Sequence, residues 1–79
     1  MTARVLLFGS IREAVGESEM KLPITAGTDA AQAFMTIVER FPAMSRQRLL
    51  FAINQQYATG RETINDGDEI AIFTPVNGG

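Results

Sequence analysis

Gly78 and Gly79, the last two residues, are the ones whose type and position could do chemistry. They follow a strand-like apolar run, so the expectation is a bare backbone carboxylate on a thin, flexible stalk. A terminal carboxylate has a reference pKa of about 3.3–3.7; it is ionised at neutral pH and a poor acylating agent until activated. Attack on the α-phosphorus of ATP, giving an acyl-adenylate, is one such activation, and it needs a nucleotide site on another protein. Glycine has no Cβ and accepts conformations closed to other residues, so Gly78 and Gly79 suit passage along a narrow channel. From Thr74 to Gly79 the chain reaches at most about 20 Å when extended, at roughly 3.3–3.6 Å per residue. That length carries the terminus into a neighbour's pocket while the domain stays outside. No acidic side chain follows Glu69, so little like charge opposes an anionic substrate. The plain alternative is a frayed end, because chain termini are commonly poorly ordered.

Few other groups compete for a chemical role. The 79 residues include no cysteine and no histidine, which removes disulfides, thiolate and zinc sites, and the commonest general acid–base. Asp66, Asp68 and Glu69 gather around Gly67, but their spacing matches no calcium loop, and no metal is expected. Ser10 and Ser45 have no histidine to activate them. Lys21 alternates outward in a strand, Tyr57 reads as packing near a turn, and Phe34 reads as a core wedge.

Length and composition predict one domain over residues 1–79. A chain this short buries only about 60% of the surface its unfolded form exposes, too little to enclose a deep active-site cavity as well as a core. A hydrophobic share of 46% and a charged share of 20% are those of a globular protein. Seven basic residues stand against nine acidic ones, and Arg4, Arg12, Arg40, Arg46, Arg48 and Arg61 are scattered, which argues against nucleic-acid binding. The apolar runs are far short of a membrane span, no secretory signal is read before the first strand, and the expected location is the cytoplasm.

The elements that would position the tail follow from pattern. Val5 to Phe8 is a short apolar run, read as a strand covered on both faces, or nearly so. Ser10 to Gly16 reads as a helical turn or two, with Ser10 as cap, Glu13 completing a capping box, and Gly16 as terminator. Met20, Leu22 and Ile24 recur with period two, and Pro23 assigns that strand to a sheet edge. Thr28 to Phe41 predicts the one long helix: Thr28 or Asp29 caps it, Gln32 stands three after Asp29, and Ala30, Phe34, Ile37, Val38 and Phe41 form its apolar stripe. Pro42 ends it. A polar connection leads to a strand over Leu49–Ile53, a turn over Asn54–Gln56, turns at Thr59-Gly60 and Asp66-Gly67, and a last strand over Ile70–Phe73. One sheet half-wrapped around one helix is an α+β domain. With the last strand parallel to the first it becomes a mixed sheet of the β-grasp, ubiquitin-like kind, and a central last strand would anchor the tail on the most stable part.

Both ends of the chain resemble one family. Val5-Leu6-Leu7-Phe8-Gly9-Ser10-Ile11-Arg12-Glu13 is similar to the opening strand and turn of molybdopterin synthase small subunits, and Ile53-Asn54-Gln55 to their mid-chain hydrophobic-Asn-Gln. Asp66 through Gly79 resembles their acidic turn, last strand, Pro-Val and double glycine, and is the specific part. Where Thr74-Pro75 stands the family often has two prolines, and a small residue such as alanine often occupies the place of Gly9. The resemblance implies a β-grasp sulfur carrier of molybdenum-cofactor synthesis. A ubiquitin-activating-like enzyme would use ATP to adenylate Gly79, sulfur transfer would give a thiocarboxylate, and the sulfur would pass to cyclic pyranopterin monophosphate on the large subunit, usually in a heterotetramer. The catalytic side chains would lie on that large subunit, and this chain would bind no cofactor. Phe73, Pro75 and Val76, with Phe8 ranked lower, are the expected partner contacts; ordinary sheet packing competes most strongly at Phe8. Two rivals share the Gly-Gly: the sulfur carrier of thiamine thiazole synthesis, and a ubiquitin-like modifier joined to target lysines. A plain interaction domain would not need Gly79.

Overall fold

Alternation, not a two-sided burial, governs the first strand. In the computed structural model, which describes residues 1–75, β1 (Thr2–Leu7) buries Ala3, Val5 and Leu7 while Thr2, Arg4 and Leu6 face outward. The apolar run therefore feeds two faces: Leu6 stays half-buried, and Phe8 lies beyond the strand, outside the core. Gly9 then takes φ +55°, in the left-handed region, and the chain turns at once into α1 (Gly9–Val15). The backbone cap of α1 is Phe8, with no side-chain cap. Ser10 does not cap it as its pattern with Glu13 predicts; its hydroxyl donates to Gln47 Oε1. The other end follows expectation: Gly16 adopts φ 87°, and its N–H donates to Arg12 O.

β2 (Glu19–Pro23) pairs antiparallel with β1 and forms one edge of the sheet, ending on Pro23. α2 (Ala30–Arg40) starts with a full capping box: Asp29 Oδ1 accepts from the Gln32 N–H at 2.8 Å, and Gln32 Oε1 accepts from the Asp29 N–H at 3.0 Å. Its buried residues are Ala30, Ala33 and Ile37; Phe34, Val38 and Phe41 pack partly buried beside them.

The connection after Pro42 is more than polar linker. Pro42–Arg46 winds into a 3₁₀ turn and drives Met44, fully buried, into the core. β3 (Leu50–Ile53) and the short β4 (Gln56–Tyr57) form a hairpin whose turn residues, Asn54 and Gln55, both have positive φ, at 49° and 70°. That is the twist two-residue hairpins favour, and asparagine tolerates it.

β5 (Glu69–Phe73) lies between β1, to which it is parallel, and β3, to which it is antiparallel. The sheet order is β2-β1-β5-β3-β4. Ile70 and Ile72 of β5 are fully buried, and with Val5, Leu7, Ile11, Ile37, Met44 and Ile64 they form the centre of the core. This is the α+β, β-grasp arrangement with a central last strand that the element order predicts.

Candidate docking face and tail root

Because side chains alternate across a strand, β5 sends Ala71 and Phe73 to the face opposite the helix. The registers Leu6↔Ala71, Ala52↔Ala71, Leu50↔Phe73 and Ala52↔Tyr57 place Leu6, Leu50 and Tyr57 on that same face. Two alanines stand side by side in the middle, leaving room for the Tyr57 ring to reach diagonally to Phe73, with centroids 5.9 Å apart. Tyr57 is 73% exposed, so it covers little of Phe73 from solvent. Toward β2 the face turns polar: Arg4 lies 3.4 Å from Glu19 and 3.8 Å from Glu69. Such exposed pairs contribute about 0–1 kcal/mol and form a charged rim to an apolar centre.

The upper end of β5 leads to the tail. Phe8 sits beside it: its N–H donates to Ile72 O at 3.2 Å, its own carbonyl accepts from Ile11, and its side chain leaves the residue 49% exposed. Phe8 is thus not buried in the sheet's core. Thr74 is half-buried and Pro75 exposed, and both line a polar notch of about 270 Å³ with Ser10, Gln47 and Arg48. Phe8, Phe73 and Pro75 therefore all lie at the same end of the sheet, where β1 and β5 finish. Val76, Gly78 and Gly79 lie outside the described residues.

Sequence reasoning missed Leu6, Leu50 and Tyr57 as members of this face. The signal was present in Val5-Leu6-Leu7-Phe8: apolar residues at both parities of a strand demand two apolar faces, and only one belongs to the core. Tyr57 does pack as its turn position suggests, its ring against Phe73, but it stays 73% exposed on the outward face rather than joining the core.

The acidic loop does structural work. Asp66 Oδ1 accepts from the Thr2 N–H at 2.8 Å, and Asp68 accepts from the Asn65 N–H at 2.7 Å and from Asn54 Nδ2 at 3.1 Å. Asn54 in turn accepts from the Glu69 N–H at 3.0 Å, so the loop fixes where β5 begins. Glu62 organises the neighbouring turn, accepting from Thr59 N–H at 2.7 Å and Gly60 N–H at 2.9 Å. Those bonds, the Thr59 N–H first, hold its carboxyl below the usual glutamate range. Lys21 is exposed, as expected of a strand alternate. Among the described residues, no helix is long and apolar enough to cross a membrane.

A mixed five-stranded sheet on one long helix, with an apolar outward face beside the root of a C-terminal segment, defines the ubiquitin-like β-grasp class. The crystal structure of SAMP1 from Haloferax volcanii has the same fold, with a TM-score of 0.88, 25% identity, and coverage of 100% of both chains. The chain belongs to the ThiS family, whose sequence pattern matches residues 5–79. It is 32% identical to the molybdopterin synthase sulfur carrier subunit of Chlamydomonas reinhardtii, over 100% of both chains. It also shares its fold, with a TM-score of 0.74 and 22% identity over 100% of both chains, with a structure of the complex of subunits 1 and 2 of the molybdopterin-converting factor from Helicobacter pylori.

Proposed function

We propose that this chain is the sulfur carrier of molybdenum-cofactor synthesis, with Gly79 as the carrying residue. The observation that carries the reading is the family match running through residue 79, on a chain whose central strand points Phe73 outward just before that segment begins. The Gly79 carboxylate attacks the α-phosphorus of ATP held by a ubiquitin-activating-like enzyme, and pyrophosphate leaves. A sulfur nucleophile at the sulfide level then displaces AMP from the acyl-adenylate, leaving a thiocarboxylate. The large synthase subunit receives the tail, and the sulfur passes to cyclic pyranopterin monophosphate. Two small and two large subunits make up the assembly, as the resemblance implies. ATP belongs to the activating enzyme, and this chain contributes no catalytic side chain. Its contribution is a slender Gly78-Gly79 terminus and a docking face built from Phe73 and Pro75, with Val76 following and Phe8 beside them.

A second reading, a ubiquitin-like modifier, is favoured by the likeness to SAMP1, a small archaeal modifier protein. Intact-mass analysis of the chain expressed with its activating enzyme and a sulfur donor separates the two. Replacement of one oxygen by sulfur at Gly79 supports the carrier. Stable amide adducts without sulfur at Gly79 support the modifier and overturn the carrier.

A further inference from the structure

The helix side of the sheet carries another surface. Between α2 and β3 runs an apolar groove of about 340 Å³ lined by Phe34, Met35, Val38, Glu39, Leu49 and Phe51. Its floor is the ring of Phe34 stacked on that of Phe51, with centroids 3.8 Å apart and planes 12° apart. Met35 stands 62% exposed on the helical wall, an unfavourable place for a long apolar side chain unless something covers it. Among the described residues, Glu39 is the one charged residue of the lining.

The second wall is an open strand edge. β4 pairs with β3 only at Ala52 and Ile53, and the Ala58 N–H then closes on Phe51 O at 2.9 Å. From there the chain departs toward α2, where Gly60 O accepts from the Ala31 N–H at 3.0 Å. Leu49 directly precedes β3, and continuing the strand's alternation, in which backbone groups two residues apart point the same way, would turn its N–H and C=O to the side that Phe51 presents to Ala58. Neither group of Leu49 has a partner among the described residues.

We propose that this groove docks an extended segment of a partner protein, which adds a short strand beside Leu49, sets an apolar side chain on the Phe34–Phe51 stack, and brings a lysine or arginine to Glu39. Strand addition takes its affinity from main-chain hydrogen bonds and its specificity from pockets for alternate side chains; the open edge supplies the first and the stack the second. Glu39 decides the sign of the flanking charge, and the formal net charge of −2 on the chain acts in the same direction. The groove lies on the helix side, so its occupation leaves the outward face of Phe73 free, and the proposal is independent of the chemistry at Gly79.

The test is a titration of the isotope-labelled full-length chain, followed by NMR, with a short capped peptide alternating leucine with lysine and a counterpart alternating leucine with glutamate. Saturable shifts at the amides of Leu49 and Phe51 and at the Met35 methyl are expected. The glutamate peptide should bind about threefold more weakly, the size of one exposed ion pair, and Glu39→Gln should remove that difference. Met35→Lys, at an exposed position on α2, should weaken the lysine peptide without altering the thermal midpoint. Absence of saturable shifts, equal binding of the two peptides, or shifts confined to Phe73 and Tyr57 would overturn the proposal.

Discussion

Replacing Phe73 by alanine separates what the outward face contributes to folding from what it contributes to docking. Full burial of a phenylalanine side chain contributes about 1.5–3 kcal/mol. Phe73 is half-buried and faces away from the core, so about 1–1.5 kcal/mol is at stake. Its tilted pair with the largely exposed Tyr57 adds about 0.5 kcal/mol, the low end for aromatic pairs. The expected loss of about 1.5–2 kcal/mol lowers the thermal midpoint by on the order of 10 °C for a domain this small. One residue earlier, Ile72 is fully buried, and Ile72→Ala should cost about 2–5 kcal/mol. Docking reverses the ranking. An aromatic anchor at the centre of an interface contributes about 2 kcal/mol or more, so, on the carrier role proposed above, Phe73→Ala should weaken binding to the activating enzyme by roughly 30-fold. Urea unfolding gives the first quantity and titration calorimetry, at a temperature where all variants are folded, gives the second. A folded Phe73→Ala chain that binds within about twofold of the parent would refute the assignment of this face to docking.

Three further outcomes test the scaffold. Met44→Ala should destabilise the domain by about 2–5 kcal/mol in urea unfolding, since Met44 is fully buried beneath its 3₁₀ turn; a change under about 0.5 kcal/mol, typical of surface positions, would contradict that packing. Asp29→Ala removes the reciprocal bonds with Gln32 and should cost about 1 kcal/mol, measurable as a lower urea midpoint, with Asp29→Ser retaining most of the stability. Glu62 binds its proton less readily folded than unfolded, so its contribution is complete above the unfolded glutamate range and disappears as pH falls through the lowered folded value. The stability gap between the parent and Glu62→Gln should therefore be widest near neutrality and close in acid; a gap that does not change with pH would exclude this linkage.

What was legible in the sequence was whatever short-range chemistry decides. The Asp29–Gln32 box, Gly16 at a helix end, Pro23 at a sheet edge and the turn glycines each act within a few residues, so type and spacing were enough. The placement of β5 was legible too, because Ile70 and Ile72 alternate with smaller or outward residues and the segment order leaves few topologies. Ser10 misled because its local pattern fits a cap, whereas Gly9 at φ +55° moves the helix start and a residue far along the chain, Gln47, takes the hydroxyl. Met44 was illegible for the converse reason. It is one apolar residue among Pro42, Ser45, Arg46 and Gln47, and only its contact with the core assembled by both helices and the sheet makes it interior.

The pleat of β5 would let so small a domain keep folding apart from the docking proposed for its outward face. Ile70 and Ile72 fill the core while Ala71 and Phe73 look the other way, and the single strand that separates the two sets is hydrogen-bonded on both sides, to β1 and β3. An edge strand could not serve the same purpose, because a force applied to the following segment would peel it one ladder at a time. Here any partner that draws on the chain beyond Pro75 loads a strand held by two ladders, with the Asp66–Asp68 loop fastened to Thr2 and Asn54 at its far end. Substitutions on the outward face therefore leave the core side chains in place and cost less stability than substitutions at Ile70 or Ile72. That independence is what the contrast between Phe73→Ala and Ile72→Ala measures.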